Sequence, residues 1–328
     1  VFSKVIMVGS PAILVHGGAG RWTRRPGWEK RAEKALEVIE RSLNAGYSAL
    51  TGNSPPHEAA VAAVKVLEDS GVLNAGSGSA LNLLGEAEMD AGLMTSYGLV
   101  GAVAATRYPR NPVELALHVA LDTDHLLVAG KGADRLAEVL GLQPRGETPP
   151  HIRERYEEML AELRRSGEAF RWRRLRRLAE KYGVAGDTVG AVALSADGRL
   201  AAATSTGGIW LKLPGRVGDT PVIGAGFYAD ENVAVSATGF GEIIMRAMAS
   251  LRLAEELRRG AGLEEACRQA VKAAERFGGE GVIGLIAVTR WGEACLAHDT
   301  EAMPSGAMWS GGRDVDVRLA SQFSKRSV

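Results

Sequence analysis

The chemistry-bearing residue that stands out is Thr188, in "GVAGDTVGAVA", where a threonine opens an apolar strand directly after a long charged run. Threonine favours strands, so in that place it can be purely structural. Its hydroxyl becomes a nucleophile only when a neighbouring base takes its proton, and this stretch holds no histidine. A cut before Thr188 would supply the base from within the residue. The freed α-amine has a reference pKa of about 7.7–8.0, close to working pH. Three features favour the second reading. The preceding segment is polar, as a processing site needs. Gly186 and Asp187 lead into the threonine, and glycine admits unusual backbone geometry. Small polar residues recur in Thr204-Ser205-Thr206-Gly207-Gly208 and Ser236-Ala237-Thr238-Gly239-Phe240-Gly241, where glycine-flanked N–H groups could hold an oxyanion.

Other residues with chemical potential read less sharply. Arg216 and Asp219 in "PGRVGD" suit an amino acid, because a guanidinium forks onto a carboxylate and a carboxylate accepts from an ammonium. In isolation the same pair is an ordinary surface ion pair. His16 and His298 end strands and read as packing or hydrogen-bonding residues. Gly17-Gly18-Ala19-Gly20 and Gly76-Ser77-Gly78 could cradle a phosphate, but neither carries the Gly-Lys-Ser/Thr of a P-loop. Arg171–Arg177, with Trp172 inside it, could touch RNA or an acidic surface; its acidic flanks make a solvated helix face the simpler reading.

The elements that must position these residues follow from periodicity. "PAILVH" reads as a buried strand before a glycine turn, and helices follow over about Ala32–Leu43, with Gly46 just beyond, and from Pro56 to Leu67. Two strands turning near Gly85 and a third, "GLVGAVAAT", precede helices at about Pro112–Leu121 and Ala133–Leu140. Residues 141–186 are dense in charge with sparse apolar points at Leu160, Leu163 and Leu175, and predict a solvated helical linker. "TVGAVALS" and "RLAAATST" flank Ala196-Asp197-Gly198, a hairpin signal. "PVIGAGFYA" pairs with "NVAVSATG", helices follow over Glu242–Arg259 and Glu264–Phe277, and "VIGLIAVT" pairs with "EACLAHD". Strand pairs combined with helix pairs predict an α+β fold, with two packed, mainly antiparallel sheets between helical layers.

The chain of 328 residues, 46% hydrophobic and 24% charged, can fill such a core as one domain, 1–328. Balanced counts of 39 basic and 39 acidic residues predict no nucleic-acid partner. Two cysteines, Cys267 and Cys295, fit a reducing compartment rather than a disulfide scaffold. The apolar opening is interrupted by Ser, Gly and Pro, which predicts a strand rather than a signal peptide or a membrane span. A soluble cytoplasmic protein is expected.

Taken together, "GDTVGAVALSADGRLAAATSTGG", "KLPGRVGDTPVIGAGFYA" and "VSATGFGE", with "LVHGGAG", "LNAGSGSALN", "EMDA" and "VGAVAATRYPRNPVELA" before them, resemble the plant-type asparaginase/isoaspartyl peptidase family of N-terminal nucleophile hydrolases. The resemblance covers nearly the whole chain except the linker. It implies a four-layer αββα sandwich and autocatalytic cleavage between Asp187 and Thr188. The products are a portion 1–187, including the linker of about 141–187, and a portion 188–328 that begins at the nucleophile. Thr206 matches the threonine that supports the nucleophile, Thr238 and Gly239 the oxyanion site, and Asn74 the asparagine near it. Arg216 and Asp219 match the grip on the substrate's α-carboxylate and α-ammonium, and Gly241 another substrate-side position. The backbone of Leu67, Glu68, Ser70, Leu73, Ala75 and Ser77 resembles a sodium loop; catalysis itself needs no cofactor. The implied substrate is L-asparagine or a β-aspartyl peptide, and the implied assembly a homodimer of processed protomers. Glycosylasparaginase, a protein-cutting threonine aspartase or an unprocessed binding protein are the alternatives. Two departures from the family pattern stand out: the long charged linker, and Phe240, expected to alter the pocket edge.

Overall fold

The computed structural model describes residues 2–20, 22, 27–165, 188–310 and 312–314. An eight-stranded sheet runs in the order β13 (Gly312–Asp314), β12 (Ser305–Trp309), β2 (Ala12–His16), β6 (Val189–Leu194), β7 (Leu200–Thr206), β3 (Met89–Thr95), β4 (Val100–Thr106), β5 (Leu127–Ala129). A five-stranded sheet runs β1 (Phe2–Met7), β11 (Glu293–His298), β10 (Ile283–Thr289), β9 (Val233–Gly239), β8 (Phe227–Ala229). Neighbours are antiparallel except β4 and β5.

Burial on both faces explains the near-continuous apolar strands. Along β2, Ile13 and Val15 face α1 (Trp28–Thr51) and α2 (Pro56–Asp69), whereas Ala12 and Leu14 join the layer between the sheets. Along β10, Ile283, Leu285 and Ala287 turn outward, and Ile286 and Val288 turn inward. Helices α3 (Pro112–Asp122) and α4 (Gly130–Val139) complete the cover on the larger sheet; α6 (Gly241–Ala247), α7 (Ala249–Arg258) and α8 (Leu263–Gly278) cover the smaller one. The result is the four-layer αββα sandwich expected from the sequence.

Several elements differ from expectation for local reasons. The helix expected over Glu242–Arg259 is split, because Met248 takes a left-handed φ of 48° and caps both α6 and α7. The strand expected from Pro221 starts only at Phe227, since residues 221–226 spend their hydrogen bonds on turns such as Val222 N–H to Asp219 O. Near Gly85 the first expected strand shrinks to a single bridge, Leu81 to Ala87. Strands β1 and β12 are not evident from the sequence: "FSKVIM" pairs only at a sheet edge, and "SGAMW" is too short to show a period.

The linker is the largest departure. Part of it is helical as expected, α5 (Pro150–Arg165), and largely exposed, but one stripe, Ile152, Tyr156, Met159 and Leu163, is buried against Leu81, Ala87 and Leu211. Those four make a stripe at helical spacing that the surrounding charge hides in the sequence. The Tyr156 hydroxyl donates to Leu83 O at 3.2 Å, and Arg155 lies over the Trp210 ring. Leu175, Arg171–Arg177, Gly186 and Asp187 lie outside the described residues.

Candidate active site

The β6–β7 hairpin sets the central geometry. Its turn closes through Ser195 N–H to Arg199 O at 2.9 Å, with Gly198 at φ 82°, and so fixes the register that pairs Val189 with Ser205. One residue further on, Thr188 and Thr206 are brought opposite each other, both 2% exposed. The same end of the sandwich carries the C-terminus of β9 from the other sheet. There Thr238 Oγ1 accepts the Thr188 N–H at 3.1 Å and the Ala19 N–H at 3.2 Å. The Thr206 hydroxyl accepts Gly208 N–H at 3.0 Å, which shapes the turn after β7.

Thr188, Thr206, Arg216, Asp219, Gly239 and Gly241 line one small cleft, together with Gly208, Ile209, Gly218 and Thr220. Gly239 has φ 134°, and a side chain there would strike the Val282 carbonyl. At Gly241 an added Cβ would lie 2.8 Å from Arg216 Nη2 and 3.0 Å from Asp219 Oδ1, so the bare backbone is what leaves room for both groups.

The charged end of the cleft runs from the buried Asp219 through a partly buried Arg216 to an exposed Glu242. Arg216 forks onto Glu242 through Nε to Oε1 at 2.9 Å and Nη2 to Oε2 at 2.8 Å. Partial desolvation works against the Glu242 carboxylate, but this pairing prevails and holds it below its usual range. Asp219 is pushed up to about 7 by burial, against the opposing pull of Arg216, and its Oδ2 has no hydrogen-bond partner within the described residues. An unpartnered buried carboxylate oxygen awaits a donor. Glu242 and Thr220 are the two site residues that sequence reasoning misses. Neither carries a signal of its own: the Thr188 and Thr220 hydroxyls meet at 3.0 Å only through the tertiary approach of the 219–222 turn to β6.

Asn74 does not line the cleft. Its Nδ2 donates to Gly208 O at 2.6 Å, its Oδ1 accepts Ala80 N–H at 2.7 Å, and its own carbonyl accepts Gly207 N–H at 3.0 Å. It clamps the turn after β7 rather than facing substrate. Phe240 packs against the helical core of the smaller sheet, so it does not shape the pocket edge as its sequence position suggests. His16 and His298 are the hydrogen-bonding residues expected. His16 Nε2 meets Ser236 Oγ at 2.6 Å, and burial pulls its pKa down to about 3, which leaves the ring neutral.

The 67–77 loop presents neutral main-chain oxygens, the donor type that suits a hard cation. Leu67 O accepts the Ser70 hydroxyl at 2.7 Å, Glu68 O the Ser77 hydroxyl at 2.9 Å, Leu73 O the Ala75 N–H at 2.9 Å, and Ala75 O the Gly78 N–H at 3.0 Å. Leu67 O also accepts the Ser70 N–H at 3.4 Å, whereas Glu68 O, Leu73 O and Ala75 O keep a second lone pair. Gly76 and Gly78 pack so closely on Glu68 and Leu73 that neither position could take a side chain, and the loop's neutral oxygens suit a sodium ion by donor type. Arg145 borders the loop, donating to Gly76 O at 3.4 Å and Ser77 O at 3.5 Å. Among the described residues, no helix is long and apolar enough to cross a membrane.

Comparison with known proteins adds an independent line. The sequence profile described as Asparaginase matches residues 9–316. A plant-type L-asparaginase of Pyrobaculum calidifontis is 41% identical over 297 residues, covering 90% of this chain and 95% of that protein. The isoaspartyl peptidase of Escherichia coli is 38% identical, over 90% of this chain and 92% of its own. An isoaspartyl peptidase/L-asparaginase of Bos taurus is 36% identical, over 97% and 98%.

Proposed function

Because the chain belongs to the asparaginase family, we propose that it is a self-processing threonine hydrolase that cleaves the side-chain amide of L-asparagine and of β-aspartyl peptides to release L-aspartate. The observation that carries this reading is the cleft in which Thr188, Arg216 and Asp219 meet.

In the first step the Thr188 hydroxyl attacks the carbonyl of Asp187, the peptide bond becomes an ester, and the hydroxyl proton ends on the Thr188 nitrogen. That shift already frees the α-amine; water then hydrolyses the ester, releasing the Asp187 carboxylate and restoring the Thr188 hydroxyl. That amine becomes the proton acceptor for catalysis at a site where, among the described residues, no histidine faces the cleft. In turnover, Arg216 binds the α-carboxylate with the donors that Glu242 leaves over, and Asp219 accepts from the α-ammonium. The Thr188 hydroxyl adds to the β-carbonyl while its amine takes the proton. Thr238 and Gly239 border the position of the oxyanion. The amine returns the proton to the departing ammonia or peptide nitrogen, and water releases aspartate from the ester. Each preorganised donor in such a site is worth on the order of 10²–10³ in rate.

A sodium ion on the 67–77 carbonyls would stiffen the loop that carries Asn74. A homodimer of processed protomers and a cytoplasmic location belong to the same reading.

Intact mass followed over time tests it. The wild type is expected to split between Asp187 and Thr188 and then to release aspartate from L-asparagine or a β-aspartyl dipeptide. Thr188→Ala is expected to stay whole and inactive. A wild-type chain that stays whole under varied pH and temperature overturns the reading.

A further inference from the structure

We propose that Thr220 is the residue that aims the Thr188 hydroxyl for self-cleavage, and that its weight falls on that step more than on turnover. The proposal rests on the self-processing reading above. In the uncut chain the Thr188 nitrogen is part of a peptide bond. Its lone pair is delocalised and cannot accept a proton, and its N–H is committed to Thr238 Oγ1 at 3.1 Å. The precursor therefore lacks the α-amine that activates the hydroxyl in the mature enzyme. What the hydroxyl has instead is Thr220 Oγ1, at 3.0 Å, with both residues buried. A hydroxyl with a fixed partner loses its free rotation, so its lone pairs keep one direction.

Thr220 is itself held from three sides. Its main-chain oxygen accepts the Thr204 hydroxyl at 3.0 Å. Its turn closes through Val222 N–H to Asp219 O at 2.8 Å, with the fixed φ of Pro221 in the middle. Gly226 passes so close that an added Cβ would lie 2.5 Å from Asp219 O and 2.7 Å from Thr220 Cα. This bracing is more than a buried threonine needs to satisfy its own polar groups; it keeps Oγ1 in register with β6. The same turn carries the substrate-binding Asp219, so one rigid piece serves both the nucleophile and the substrate end of the cleft.

Thr220 is neither consumed nor charged: the acyl group moves from nitrogen to oxygen, the proton moves from oxygen to nitrogen, and Thr220 fixes the starting rotamer. After cleavage the α-amine on the same residue takes over as partner, and the contribution of Thr220 shrinks.

Thr220→Val keeps the shape and removes the hydroxyl; Thr220→Ser keeps the hydroxyl. Self-cleavage is read by intact mass, folding by thermal melting, and turnover on protein brought to completion by prolonged incubation. The expected result is cleavage slowed at least about tenfold in Thr220→Val and restored to within about threefold in Thr220→Ser. Matured Thr220→Val is expected to keep its KM and to lose less in kcat than it lost in cleavage. Thr220→Val cleaving at the wild-type rate overturns the proposal. So does a folded Thr220→Ser that cleaves as slowly as Thr220→Val, because the site would then need the methyl and not the hydroxyl. A whole wild-type chain is a separate failure: it overturns the self-processing reading, and this proposal with it.

Discussion

At the scale of single residues, Asp219 makes the cleft sensitive to pH. Its carboxyl ionises near 7, and only the ionised form offers a charge to the substrate ammonium. KM for L-asparagine is therefore expected to rise as pH falls below about 7, approaching tenfold per unit, in addition to the fall in kcat as the Thr188 amine protonates. Asp219→Asn should raise KM on the order of 100-fold and flatten that dependence, as steady-state kinetics across pH 5–8 will show. Glu242 acts one step back. By occupying Nε and Nη2 of Arg216 it fixes the plane of the guanidinium, so Glu242→Gln should raise KM by roughly 3–10-fold with kcat little changed. Thr206 and Thr238 are legible in the sequence because each lies in a stretch of small polar residues, and Thr188, Arg216 and Asp219 because the ordered motifs around them resemble those of the family. Glu242 and Thr220 are not, because their partners are distant in sequence and nothing in "GDTP" or "FGE" marks which atom they will meet.

At the scale of elements, α5 shows why a charge-rich segment can still be structural. Its buried stripe packs on the turn around Gly85 and on the 210–212 segment just beyond the cleft. Tyr156 sits at the centre of that contact, with Gly85 against its ring. Tyr156→Ala is expected to cost roughly 2–4 kcal/mol in chemical denaturation. It should also speed amide exchange at 81–87 and 209–212, which would show that the helix braces the lip of the cleft. Turn chemistry makes the β6–β7 hairpin readable in the sequence, and with it the pairing that faces Thr188 toward Thr206. The split at Met248 is unreadable there, since methionine is a good helix former and only tertiary packing imposes its left-handed φ. Apolar run length likewise cannot separate the turn at 221–226 from the strand that follows it.

For the whole molecule, buried acids set a pH cost. Glu68 lies fully buried between α2 and the start of α3, where Oε1 accepts Val113 N–H at 3.1 Å and Oε2 has no hydrogen-bond partner among the described residues. Burial pushes its pKa up from 4.5 to about 8. The unfolded chain ionises first as pH rises, so the stability Glu68 contributes is complete below about 4.5 and is lost progressively up to about 8. Asp219 acts in the same direction between 3.8 and about 7. Thermal stability is expected to fall from pH 5 to pH 8. Glu68→Gln should lessen that fall, narrowing the difference between the two melting temperatures by at least about 2 °C.

Cleavage before Thr188, as proposed, would have to follow folding because of the strand order. In the larger sheet β2 lies between β12 and β6, and β7 lies beside β3, so strands from before and after Thr188 are interleaved. Neither portion synthesised alone could complete this sheet. The first would leave β2 without neighbours on either side, and the second would leave β6 and β7 with open edges prone to wrong partners. A single gene product cut after folding avoids that hazard. It delivers the two polypeptides in equal number, already threaded through one another, and a loss of the covalent join leaves every ladder of hydrogen bonds intact.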